Sequence, residues 1–104
     1  MMSLQVVSQD KELLNDVAGF LLKENLIVNA IISHEHVSNT LDGDQVVSRP
    51  IFLLKGISKS LLFGLINNMM CEKYGDRMPL VYSEPIILID PKHTEAFMEQ
   101  LRKI

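Results

Sequence analysis

The chain has 104 residues, 47% apolar and 22% charged, the size and composition of one ordinary globular domain spanning residues 1–104. Ten basic residues against thirteen acidic ones leave a net charge of −3. That sign gives no general attraction to phosphate backbones or anionic lipid, so nucleic acid and membrane are not expected partners. Cys71 is the only cysteine, which rules out an intrachain disulfide and gives no sign of an oxidising compartment. The first residues, Met1-Met2-Ser3-Leu4-Gln5, lack a basic stretch followed by a long apolar one. No apolar run approaches the ~20 residues of a spanning helix. The expected location is cytoplasmic.

In chain order, Leu4 to Val7 is a short apolar run that ends at Ser8-Gln9-Asp10, a strand meeting a helix cap. Leu13, Leu14, Val17, Ala18, Leu21 and Leu22 then recur at three- and four-residue steps. They predict a helix capped by Asp10 and stopped at Asn25. Leu26 to Ile32 is rich in branched residues and is predicted as a strand. No helical stripe follows. The strongest turn signal is Asp42-Gly43, and with the return run to Lys55 it predicts one long hairpin over about residues 26–56. Pro50 cannot donate to a ladder and belongs at a bulge or an edge.

Gly56 and Ser58 are predicted to break the strand and begin a second helix with the stripe Leu61, Leu62, Leu65, Ile66, Met69 and Met70. Lys73 and Gly75 close it. A final strand follows Pro79 and ends in Ile86-Ile87-Leu88-Ile89. Asp90-Pro91 starts a last helix, with Phe97, Met98, Leu101 and Ile104 as its stripe. The order β-α-β-β-α-β-α predicts an α+β fold, a ferredoxin-like split βαβ sandwich. Its four-stranded antiparallel sheet has a long hairpin between the second and third strands, and a C-terminal helix completes the chain.

That hairpin outreaches the first and last strands. Its distal half therefore has no sheet partner in its own chain, and a bare ribbon invites pairing with another copy. The alternative is that Ser38 to Ser48 is a polar loop.

Several of these residues match the pattern of a known family. Leu26 opening a long hairpin, the turn at Asp42-Gly43, Phe52-Leu53-Leu54-Lys55, and Met78-Pro79 followed by Pro85 and Ile86-Ile87 together resemble the CutA divalent-cation-tolerance family. The resemblance runs from about Asp10 to Leu101. It implies a homotrimer built like the signalling PII proteins, with Lys55 in the cleft between subunits. The chain departs from the family at Val28-Asn29, where a cysteine is usual, and at Ser38-Asn39-Thr40-Leu41, where tryptophan and tyrosine are common. It also has Lys73-Tyr74-Gly75-Asp76-Arg77 in place of a His-Pro-Tyr-Glu run, and Gly56 in place of threonine. A family site built on the missing residues does not carry over.

Among chemical groups, His34 and His36 are the candidate metal ligands. Residues i and i+2 of a strand share a face, about 6.5–7 Å apart at their Cα atoms, and two imidazoles at that spacing suit zinc or copper. A third ligand would come from His93 or another subunit; otherwise both are solvated histidines. Cys71 beside Met69 and Met70 offers soft donors for copper(I), but methionines on a helix stripe are ordinary core filler. Lys55, beside Gly56 and a helix start at Ser58, is the candidate anion ligand, with Arg77 and Glu84 at the rim of the same cleft; a lysine reaching water and a surface ion pair explain them equally well.

No glycine-rich phosphate loop, CxxC, HExxH or GxSxG is present, so the expectation is no enzyme. The loop Ser8-Gln9-Asp10 lacks the arginine of an acylphosphatase-like site. Phe52 alone cannot make an RNA-stacking surface. Two functional readings remain open: a metal-binding module on His34 and His36, linked to divalent-ion tolerance, and a PII-like or ACT-like sensor of a small anionic metabolite at Lys55.

Overall fold

The computed structural model describes residues 1–103. Its elements are β1 (Met2–Ser8), α1 (Lys11–Lys23), β2 (Ile31–Ile32), β3 (His36–Asp42), β4 (Gln45–Ser58), α2 (Phe63–Tyr74), β5 (Leu80–Pro85) and α3 (Pro91–Gln100). The sheet runs β2-β4-β1-β5, with β3 pairing the distal part of β4, and every pairing is antiparallel. This is the split βαβ order expected from the sequence.

Alternation along β1 sends Met2, Leu4 and Val6 into the core, where they meet Leu54 of β4, Leu14, Val17 and Leu21 of α1, and Ile66 and Met70 of α2. Both helices therefore cover one face of the sheet. Asp10 caps α1 as expected, its carboxylate accepting from the Leu13 N–H at 3.1 Å, and Asn25 ends the turn in the left-handed region at φ 57°. An Asp10→Ala protein is expected to lose about 1 kcal/mol of stability, read as a lower urea midpoint with an unchanged slope.

Several elements differ from the sequence reading. The segment Leu26–Ile32 is a strand only at Ile31–Ile32. Leu26 and Ile27 are buried in the core, and that burial, not ladder pairing, accounts for the branched residues there. The Val28 N–H donates to the Ile57 carbonyl at 3.0 Å, but the Ile57 N–H is met by the Asn29 side chain, Oδ1, at 3.0 Å. A side-chain amide thus replaces one ladder acceptor.

The long hairpin carries a bulge. Ile32 pairs with Leu54 and His36 with Ile51, so Ser33, His34 and Glu35 face only Phe52 and Leu53. One extra residue has been inserted. The Ser33 hydroxyl oxygen accepts from the Leu53 N–H at 3.1 Å and stabilises the bulge. Beyond it Ser38–Ser48 is a paired ladder and turn, not a loop. Asp42 and Gln45 close the turn, with Gly43 at φ 63°, a conformation glycine adopts without strain. Pro50 sits in distal β4, which has a partner on one side only, as an edge proline must.

β4 also runs through Gly56 to Ser58 instead of stopping there. The Ser58 hydroxyl donates to the Leu26 carbonyl, and the second helix begins only after a 3-10 turn at Ser60–Leu62. Its buried stripe is Leu62, Ile66, Met70 and Tyr74, while Leu61 and Leu65 are exposed. The stripe is therefore narrower than the sequence suggested and extends to a tyrosine.

Finally, β5 ends at Pro85 and does not include Ile86–Ile89. Pro85 lies opposite Met2, where β1 begins, so no strand remains to continue the ladder beyond the bond from the Ile86 N–H to the Met1 carbonyl. Ile87 and Leu88 are left 89% and 88% exposed. In α3 no residue is buried, although Leu101 just after it is in the core. Ile104 lies outside the described residues.

Candidate functional site

Directly opposed residues of an antiparallel pair share a face, and this rule defines the helix-free side of the sheet. One row across it reads Ile31, Lys55, Gln5, Tyr82, from β2 to β5. The adjacent row is Ile57, Ser3, Glu84. A cavity of about 230 Å³ is lined by Lys55 together with Ser3, Asn29, Ile31, Gly56, Ile57 and Ile86.

Lys55 is exposed and has no salt-bridge partner among the described residues. The helix N-terminus that the sequence placed beside it lies farther along the chain, after Ser60–Leu62, so the free N–H groups of that helix do not join Lys55. The cavity and the neighbouring polar row take that place. Glu84 lies on this face opposite Ser3. Arg77 does not join them: it ends the 3-10 turn Gly75–Arg77 before Leu80, which pairs with Val7, whereas Glu84 pairs with Ser3 at the other end of β1.

His34 lies within the bulge and His36 is the first paired residue beyond it. The strict alternation that would set both imidazoles on one face therefore does not operate between them. Both are exposed, and among the described residues no three histidine, cysteine or carboxylate side chains gather into a metal-binding group. His93 belongs to another part of the fold, where its ring contacts the carboxylate of Asp90 at 2.8 Å. Its hydrogen bonds hold the Asp90 carboxyl below its ordinary range. Cys71 is exposed while Met70 is fully buried, so these two sulfurs do not converge.

Gln5 and Tyr82 escaped the sequence reading. Gln5 is 4% exposed, and its Oε1 accepts from the Tyr82 hydroxyl at 2.9 Å. The available signal was one polar residue inside the apolar run Leu4–Val7.

A larger cavity, about 390 Å³, lies between the helices and is lined by Asp16, Gly19, Phe20, Lys23 and Lys73 among others. Three of its lining side chains, Asp16, Glu24 and Lys73, have partners. The Tyr74 hydroxyl donates to Asp16 at 2.7 Å, and burial, reinforced by that bond, holds the phenol above its ordinary pKa. The Lys73 ammonium lies 5.0 Å from the Phe20 ring centre.

No protein-family model matches the chain, and no curated protein matches it in sequence. Solved structures match it over nearly its whole length. The class they define is the ferredoxin-like, PII-like split βαβ fold. More narrowly, the chain has the fold of the CutA1 divalent cation tolerance proteins. CutA1 from Oryza sativa superposes with a TM-score of 0.87 at 19% identity, covering 99% of this chain and 94% of that one. CutA1 from Pyrococcus horikoshii gives 0.84 at 16%, covering 99% and 100%. CutA from Archaeoglobus fulgidus gives 0.84 at 14%, covering 98% and 100%. The resemblance seen in the hairpin and proline positions therefore holds as a statement of fold.

The comparison also corrects the expected location. The Archaeoglobus protein is described as a periplasmic divalent cation tolerance protein, so a cytoplasmic location does not follow from this architecture. No described helix is long and apolar enough to cross a membrane.

Proposed function

We propose that the chain is a CutA-family subunit that works as a homotrimer, binding ions or small molecules in support of divalent-ion tolerance and catalysing no reaction. The observation that carries this is the match to CutA1 structures along the whole chain, long hairpin included. β3 and distal β4 pair only with each other, which supports association, because a lone ribbon is marginal in water. In the metal reading His34 and His36 supply two ligands to zinc or copper, and a neighbouring subunit completes the set. A second reading is favoured by Lys55 standing unpaired at a cavity. There the ligand is a small anion, sensed without a metal.

The test is solution mass by light scattering on metal-free protein, then with zinc or copper, joined to metal retention after desalting. Wild type is expected near three times 11.8 kDa in both conditions. The His34→Ala/His36→Ala protein is expected to keep that mass and lose most of its retained metal. Equal retention by the two proteins removes the histidines from the site, and a monomer throughout overturns the trimer.

A further inference from the structure

The helical side of the fold carries a feature that folding does not require. Gly19 stands inside α1, where glycine destabilises a helix relative to alanine. Nothing packed nearby demands it, because an added Cβ would meet no atom within 4 Å. What the missing side chain leaves open is the floor of the cavity of about 390 Å³ between α1 and Lys73 of α2. This cavity lies on the face covered by helices, away from the hairpin and from the helix-free face that the proposed trimer turns toward its other subunits.

The charges of the cavity are set out in order along it. Asp16, Phe20 and Lys23 follow one another at four- and three-residue steps and so share one side of α1. Asp16 and Lys23 are two turns apart, about 10.5 Å along the helix axis. From α2 the Lys73 ammonium reaches in between, over the Phe20 ring. Neither lysine has a salt-bridge partner among the described residues. Asp16 accepts from the Tyr74 hydroxyl on Oδ2, and its Oδ1 has no partner among those residues. Glu24, also at the cavity, is held by Arg102. Two unpaired ammonium groups and one half-occupied carboxylate remain. Their complement is a molecule with two carboxylates and one ammonium.

We propose that this cavity binds a free acidic α-amino acid of glutamate's length. Its ammonium donates to Oδ1 of Asp16, its α-carboxylate accepts from Lys73, and its side-chain carboxylate accepts from Lys23. A short methylene chain with a hydrogen bond of roughly 2.8 Å at each end bridges the two-turn separation, and its methylenes lie over Gly19. The site uses neither Lys55 nor the histidines, so it stands or falls independently of the metal and sheet-face readings.

The experiment titrates L-glutamate into ¹⁵N-labelled full-length protein at fixed pH and ionic strength, with glutarate, which lacks the ammonium, in parallel. Saturable shifts centred on Asp16, Gly19, Lys23 and Lys73 are expected for glutamate, with Lys55 unmoved. Glutarate should bind more weakly by roughly tenfold or more, the scale of losing a charge-assisted bond. The exposed-site variant Lys23→Met should weaken glutamate binding by a similar factor. Gly19→Met fills the floor of the cavity, so it should abolish the saturable shifts while melting no lower than wild type, since the new side chain starts into open space. No saturable shifts in wild type, equal binding of glutarate, or undiminished binding by Lys23→Met or Gly19→Met overturns the proposal. Loss of glutamate binding in Lys55→Met also overturns it and moves the anion to the sheet face.

Discussion

A Gly56→Ala protein is expected to be less stable than wild type by about 3 kcal/mol, although the same exchange at a tolerant site stabilises by ~0.4–1 kcal/mol through the unfolded chain. The sign is set by one contact. A Cβ at Gly56 would stand 2.6 Å from the backbone oxygen of Asn29 and 3.1–3.2 Å from Ile27 side-chain atoms. The backbone oxygen cannot rotate away as a side-chain tip can, so β4 and the segment 27–29 must separate. That movement strains the two bonds joining them, Val28 N–H to Ile57 and Ile57 N–H to Asn29. Overpacking of this kind costs typically ~1–3 kcal/mol, and each weakened hydrogen bond adds roughly 1 kcal/mol. At about 4–8 °C per kcal/mol for a domain of this size, the melting temperature should fall by roughly 12–24 °C at fixed protein concentration. Gly19→Ala is the control. It sits in α1 with nothing within 4 Å of the added carbon, and it should raise stability by about 0.5–1 kcal/mol. Equal melting of Gly56→Ala and wild type would show that the close approach does not exist.

The features legible in the sequence were those written in local chemistry. Asp10 and Asp90 cap their helices, Asn25 and Gly75 end theirs with positive φ, and Gly43 turns the hairpin. Each is a residue whose own side chain, or lack of one, dictates backbone geometry. The fold order follows from these marks. Less legible was whatever depended on a partner strand. Ile86–Ile89 has strand composition, yet it lies beyond Pro85, where β1 has run out. Leu26–Ile27 has the same composition and is used for core packing. The bulge at Ser33–Glu35 is invisible in a polar stretch, because an alternation can slip by one residue without an apolar position to betray it. That slip removes the strict alternation on which the pairing of His34 and His36 as metal ligands was based. Lys55 and Glu84 were legible as charges, but their shared face needed the register. Gln5 became meaningful only when Tyr82 and Lys55 were found on either side of it.

Replacing Ile87 and Leu88 together by aspartate is expected to reduce the solution mass from near three times 11.8 kDa to 11.8 kDa. These side chains are nearly bare in the isolated chain and belong to a short apolar segment with no strand beside it. The hairpin presents the complementary need, a ladder with a free edge and exposed Val37, Leu41 and Val46. The two surfaces lie on different parts of the molecule. Joining one to the other on the next copy makes a head-to-tail contact that closes into a ring when the rotation permits. Burying an isoleucine and a leucine stabilises by about 1.5–3 kcal/mol each, so two per subunit over three subunits contribute roughly 9–18 kcal/mol, comparable with the roughly 8–30 kcal/mol that the two associations of a trimer cost. Aspartate removes that gain and adds charges that must be desolvated. Because neither residue touches the core, the far-ultraviolet spectrum of the monomer should match that of wild type. Leu61→Asp is the control: Leu61 is 81% exposed but lies in the 3-10 turn before the second helix, and its mass should stay trimeric. A trimeric Ile87→Asp/Leu88→Asp protein would exclude this segment from the interface, and a monomeric Leu61→Asp protein would move the interface to the helical side.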